Sequence, residues 1–284
     1  MKIAVVGLGL IGGSIAKTIK KNTTHNCYGI DRNKETIALA LHQEAIDGEI
    51  TCEQLSDMDV VIVSLYAGSI VDFVLSNKDN FKKGALVTDT CGVKEVIVNK
   101  LEKPLADVGV HFVGCHPMAG REFSGFQYAL DNLFDNASCI ITPTENSDKQ
   151  AVETLKELAK EMRFRRIVES TPSRHDEVIA FTSQLAHVVS ASYVKSPSLF
   201  KQDGFSAGSF KDMTRVAYLN EDMWTELFLL NKNALLSELE SVISALTDYK
   251  KCIENDDSET LHELLKESRE LKQKSNEQIA RQNS

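Results

Sequence analysis

Residues 2–12 read KIAVVGLGLIG, an apolar run that breaks into Gly7-x-Gly9-x-x-Gly12. Few folds accommodate that order. The first glycine permits a tight turn out of a strand. The second leaves the backbone bare where an anion must approach, and the third lets the following helix pack closely on the sheet. A helical pattern follows at Ile11, Ile15, Ala16 and Ile19, and a second apolar run, CYGI, ends at Asp31. A strand, a glycine turn, a helix and an acid-tipped strand are the set that a dinucleotide requires. Exposed N–H groups and the helix dipole attract the pyrophosphate, so Gly7, Leu8, Gly9, Leu10, Ile11 and Gly12 form the expected cradle. Asp31 would pair with the ribose 2′-hydroxyl and repel a 2′-phosphate, which favours NAD; Arg32 beside it leaves NADP open.

The same alternation continues to about Val168. The runs IAVVG, CYGI, DVVIVSL, ALVTD, HFVGC, SCIITP and RRIV are separated by helical stretches such as 68–75, 93–101 and 149–161. Several runs lack a period of two, as strands buried on both faces of a parallel sheet do. An α/β N-terminal Rossmann domain with a mostly parallel, doubly wound sheet is therefore expected over residues 1–170. After Thr171 no strand candidate remains. Helices are expected over 174–195, 210–219, 221–251 and 258–282, giving an all-α C-terminal domain, residues 171–284, for substrate binding and dimerisation. The last helix is mostly a solvated, charged face. Leu261, Leu264, Leu265 and Leu271 still give it an apolar seam, which a second subunit would bury, so a homodimer is expected.

Composition narrows the function classes. A net charge of −9 argues against nucleic acid as the main partner. No apolar run has the length of a membrane span, and Met1 leads directly into a strand without a signal-peptide pattern. The 6 cysteines are scattered without a C-x-x-C pair. No metal site is expected from them, and reduced thiols fit a cytoplasmic location.

Ligands of a doubly wound sheet sit beyond the carboxyl ends of its strands. Ser64 and Leu65 follow one such end, residues 88–94 with Asp89 and Thr90 follow another, and His116 to Gly120 follow a third. Ser64, Asp89 and Thr90 are expected at the cofactor. His116 would lie near the nicotinamide, where an imidazole can take a hydroxyl proton while a hydride leaves the same carbon. A loop histidine bonded only to backbone is the alternative reading.

The stretch GCHPMAGREFSG resembles the H-P-M-A-G-x-E-x-S-G signature of prephenate and arogenate (cyclohexadienyl) dehydrogenases of tyrosine biosynthesis. KIAVVGLGLIGGSIA, TDTCGVK, HDEVIAFTSQLAHVVSA and GSFKDMTRVA resemble further blocks of that family, in family order. The resemblance implies hydride transfer from C4 of a cyclohexadiene to the nicotinamide, with CO2 leaving from C1. It implies that His116 is the base and that Arg215 holds a substrate carboxylate, a task suited to a guanidinium fork. Asp212 would orient Arg215, His187 would lie in the substrate pocket, and Glu122 and Ser124 would shape the loop around His116. Without the resemblance, Asp212 and Arg215 read as a surface pair and His187 as a core histidine.

Three departures stand out. Gly92 replaces a serine of the T-D-x-x-S-V-K loop, and Gln184, expected among the substrate-binding residues with Arg215, Asp212, His187, Glu122 and Ser124, replaces the first histidine of S-H-L-P-H, keeping hydrogen-bonding capacity without titration. Arg121 also precedes Glu122 where the family often has a small residue. The resemblance leaves prephenate or arogenate as substrate, and a catalytically silent dinucleotide-binding sensor as a different class. A β-hydroxyacid dehydrogenase is a poorer match, since Lys195 lies at the far end of its helix. No appended amino-acid-sensing or chorismate mutase domain is expected. Tyrosine is expected to inhibit, if at all, at the active site, because the product resembles the substrate.

Overall fold

Ile3 and Val5 face one side of strand β1 (Lys2–Val6) and Ala4 and Val6 the other, and all four are buried. A strand covered on both faces belongs inside a sheet flanked by helices. The computed structural model, which describes residues 1–121 and 123–283, has that arrangement. After β1 come α1 (Leu10–Asn22), β2 (Asn26–Ile30), α2 (Lys34–His42), β3 (Gly48–Glu49), β4 (Val60–Val63) and α3 (Ala67–Ser76). Then follow β5 (Leu86–Asp89), α4 (Glu95–Ala106), β6 (His111–Pro117), β7 (Ser138–Thr142), α5 (Lys149–Glu161) and β8 (Arg166–Glu169).

The 8 strands lie in the order β3-β2-β1-β4-β5-β6-β7-β8. Every pairing is parallel except that of β6 with β7, which is antiparallel. From β3 to β6 this is the doubly wound order, with its switch between β1 and β4. The turns after β1, β4, β5 and β6 consequently share one edge of the sheet. The edge strand β3 has 2 residues, and no apolar run marks it in the sequence.

Local chemistry sets the helix starts. Asn33 accepts the N–H groups of Glu35 and Thr36 before α2, and Asp148 accepts that of Ala151 before α5. Beyond Thr171, which caps with Pro172 at the first position, come α6 (Pro172–Ile179), a π-helical turn (Ala180–Leu185) and α7 (Ala186–Tyr193). The single helix expected over 174–195 is thus wider by one turn in its middle. Next are α8 (Gly208–Thr214), shorter than expected and followed by a 3-10 turn, and α9 (Glu221–Leu230). The helix expected over 221–251 is interrupted at Asn231, after which α10 (Lys232–Glu254) begins. Asn231 turns its amide inward, donating to the Asp176 carbonyl and to Gln184 Oε1, both at 2.8 Å. No strand occurs beyond residue 169 among the described residues.

The chain divides into two compact units, Met1–Lys232 and Asn233–Ser284. The change near residue 170 marks the end of the strands, whereas the helices through α9 belong to the unit that holds the sheet. The second unit pairs α10 with α11 (Ser258–Asn283), tied by Tyr249 Oη to Ser268 Oγ at 2.9 Å. Ile243, Leu246, Ile253, Leu265, Leu271 and Ile279 are exposed along these helices. No helix of the described residues is long and apolar enough to cross a membrane.

Candidate active site

The glycine turn has the form that a pyrophosphate needs. Gly7 takes φ +86°, a conformation that side chains disfavour. A Cβ on Gly12 would lie 1.9 Å from the Gly7 carbonyl oxygen, whereas one on Gly9 would meet nothing within 4 Å. The turn is therefore tight beneath and bare above, which fits a dinucleotide at the start of α1. Leu10 and Ile11 are half-buried in the first turn of α1, while Leu8 is fully buried. Asp31 braces the turn, accepting the Leu8 N–H at 2.8 Å through Oδ2 and the Asn33 N–H at 2.8 Å through Oδ1. Arg32 is exposed beside it. Ser64 Oγ accepts a hydrogen bond from the Thr90 hydroxyl at 3.0 Å, joining the turns after β4 and β5.

Asp89 does not join them. It is 0% exposed, so no cofactor can reach it. It forms an ion pair with Lys94, also 0% exposed, and accepts the N–H of Cys91 at 2.8 Å and of Cys115 at 3.3 Å. Lys94 Nζ also donates to the Cys115 carbonyl at 2.8 Å. The expectation of Asp89 at the cofactor is corrected. A carboxylate at a strand end needs nearby donors, and here they all lie inside the protein.

The pair supports His116, which is half-buried near the carboxyl end of β6. His116 Nδ1 lies 2.9 Å from His175 Nε2, and His175 Nδ1 lies 2.7 Å from Asp176 Oδ1. Asp176 accepts the N–H groups of Lys94 and Glu95 at 2.7 and 2.9 Å, closing the start of α4 from another element. Burial, and then the neighbouring His175 and the Lys94 cation, hold the His116 pKa well below the ordinary histidine range. The His116 imidazole is consequently neutral at physiological pH.

The remaining candidates spread over the helices. His187 stacks on Trp224 at 3.9 Å between ring centroids, and its Nδ1 approaches the Ser183 carbonyl at 2.8 Å. Burial lowers its pKa, and the Arg215 cation lowers it further, so Arg215 and His187 face the same region. Asp212 and Arg215 are exposed, at and just beyond the end of α8. Ser124 is exposed, and Glu122 lies outside the described residues. Gln184 is buried in the π turn, donating to the Leu227 carbonyl at 3.2 Å and accepting from Asn231. A Cβ at Gly92 would meet Leu227 at 3.7 Å and His116 Cε1 at 3.9 Å, so a small side chain would fit there. A concavity of about 550 Å³ near His111 lies at the other end of β6 and includes none of these residues.

Comparison with known proteins identifies the family. Residues 15–168 match the family model "Prephenate dehydrogenase, nucleotide-binding domain", and residues 171–267 match "Prephenate dehydrogenase, dimerization domain". The chain belongs to the prephenate dehydrogenase family. The prephenate dehydrogenase of Bacillus subtilis is 34% identical over 279 residues, 95% of this chain and 75% of that protein. The cyclohexadienyl dehydrogenase of Zymomonas mobilis is 29% identical, over 95% of this chain and 94% of its own length. A structure of Aquifex aeolicus prephenate dehydrogenase with hydroxyphenyl propionate and NAD+ superposes with a TM-score of 0.86 at 31% identity, covering 96% of this chain and 98% of that one.

In this chain, His175, Asp176, Lys94 and Asn231 are functional candidates that reading the sequence did not single out. His175 and Asp176 open the run HDEVIAF, so a signal was present. Their relation to His116 is one of folding, across 59 residues.

Proposed function

We propose that this protein catalyses the NAD-dependent oxidative decarboxylation of prephenate to 4-hydroxyphenylpyruvate, a step of tyrosine biosynthesis. The observation that carries the reading is His116, a neutral imidazole on the same sheet edge as the glycine cradle. A bound nicotinamide would supply the acceptor for the hydride leaving C4 of the ring. His116 takes the C4 hydroxyl proton as the carbonyl forms and returns it to the phenolic oxygen once CO2 has left. The pair of electrons from the broken C1–carboxylate bond completes the aromatic ring, so no net proton is consumed. Aromatisation supplies the driving force, and the protein mainly has to position the groups.

Arg215 holds a substrate carboxylate beside His187, and Asp212 orients Arg215. Gln184 contributes by fixing α9 to the π turn rather than by touching substrate, because both ends of its amide have protein partners. Glu122 and Ser124 shape the loop after His116. Gly7 to Gly12 hold the pyrophosphate, Asp31 the ribose, and Ser64 and Thr90 the nicotinamide side. Asp31 makes NAD the preferred cofactor over NADP. Residues 171–284 bind substrate and dimerise, with the exposed apolar residues of α10 and α11 buried between subunits. Tyrosine competes at the active site.

The test follows NADH formation with prephenate and with L-arogenate separately, each with NAD and with NADP. Turnover of prephenate with NAD is expected. Turnover of arogenate alone would reassign the side-chain preference, and turnover with NADP alone would remove Asp31 as the discriminator.

A further inference from the structure

The contacts around His116 determine which of its nitrogens carries a proton. Asp176 accepts the backbone N–H of Lys94 through Oδ1 and that of Glu95 through Oδ2. Both oxygens are acceptors at the positive end of α4, so Asp176 meets His175 as an acceptor as well. His175 Nδ1, 2.7 Å from Oδ1, therefore carries the proton. Burial keeps His175 neutral, with Lys94 acting in the same sense and Asp176 against it. Neutral His175 has its lone pair on Nε2, and that atom faces His116 Nδ1 at 2.9 Å. His116 must then donate from Nδ1, which leaves the lone pair of its Nε2 open.

We propose that His175 and Asp176 are positioning residues that lock His116 as the Nδ1–H tautomer, so that Nε2 is the atom that takes the substrate hydroxyl proton. The proposal rests on His116 being the base. It deepens that reading by assigning the atom and the two residues that select it. The hydrogen bonds run from the start of α4 through Asp176 and His175 to His116, linking α6 to two elements far from it in sequence, α4 and β6. Gly92 adds weight to it, since no side chain at that position can orient the imidazole. As His116 borrows the proton, the imidazolium Nδ1–H keeps its acceptor on His175, whose ring the carboxylate holds in place. The proton goes back to the phenolic oxygen, and His175 and Asp176 end as they began. The other charged groups at this place, Lys94 and Asp89, are paired with each other.

The test reads the tautomer directly, on the full chain labelled with ¹⁵N-histidine, by long-range ¹H–¹⁵N spectroscopy, with His116→Gln assigning the signals. His116 in the unmodified protein is expected to show a protonated Nδ1 and an unprotonated Nε2. The opposite pattern overturns the proposal, and this spectrum needs neither turnover nor a variant of His175. Two variants of similar size then separate positioning from packing. His175→Gln retains an oxygen where Nε2 stood and should keep the His116 tautomer, whereas His175→Met removes the acceptor. His175→Met is expected to lose about 100-fold in kcat with the KM for NAD unchanged, and His175→Gln about 10-fold or less. Equal losses in the two variants with unchanged His116 spectra would overturn the proposal. An Nδ1–H spectrum from a protein that does not turn over prephenate would refute the functional reading, and with it the role given to Nε2, while the tautomer lock by His175 and Asp176 would stand.

Discussion

Lys94→Met tests the buried ion pair beneath His116. Both side chains of the Lys94–Asp89 pair are 0% exposed. Removing the cation leaves a carboxylate in the interior, a change that costs ~3–5 kcal/mol. Methionine matches the lysine stem, so little cavity is added. Asp89 keeps the N–H groups of Cys91 and Cys115, which puts the expected loss near ~3 kcal/mol, the lower end of that range. At ~2–4 °C per kcal/mol for a unit of this size, Tm should fall by ~6–12 °C. Thermal and urea unfolding measure it. Adding Asp89→Asn should recover most of the loss, because the unpaired charge is then gone as well. A single-variant loss below ~1 kcal/mol, the worth of an exposed pair, would refute the reasoning. So would a double variant less stable than the single one.

Other consequences can be checked independently. Gly12→Ala places a Cβ 1.9 Å from the Gly7 carbonyl oxygen, so the turn must shift and NADH binding, read by fluorescence, should be lost; an unchanged Kd would contradict the cradle. The His116 pKa is lowered well below 6.5, so the base form persists as pH falls and the acid limb of kcat/KM should lie below pH 6.5. The same shift, shared by His175, has a stability sign: unfolded histidines bind protons near pH 6.5 while the folded ones do not. Stability should therefore be full above that pH and decline as pH falls through it, as urea midpoints would show. Arg215→Ala should raise the KM for prephenate, with a transition-state loss toward the lower end of ~2–5 kcal/mol because Arg215 is exposed; lost NAD affinity instead would show it misassigned.

The parts of this fold that were legible in the sequence are those fixed by short-range chemistry. The glycine turn and the apolar runs of the buried strands act within a few residues, and each left a local pattern. The two-residue strand β3 left none, because an edge strand needs only two backbone partners. The break at Asn231 was hidden because its cause is remote, an amide that turns inward to Asp176 and Gln184 instead of continuing an amphipathic helix. The site divides in the same way. His116 could be placed by its strand end and its motif. Asp89 shares that logic, yet the fold supplies Lys94, Cys91 and Cys115 as internal donors and buries it. His175 and Asp176 acquire their relation to His116 only when α6 packs across the start of α4, a contact spanning 82 residues that no spacing rule contains.

The central claim, that His116 drives an NAD-linked dehydrogenation of prephenate at this site, is tested most directly by one comparison. Initial rates of NADH formation from prephenate would be measured for the unmodified protein and for His116→Gln, both shown by fluorescence to bind NADH. Turnover by the first, reduced about 100-fold or more in the second with NADH affinity retained, is the predicted result. NADH binding without prephenate turnover in the unmodified protein, or equal rates in both proteins, would contradict it.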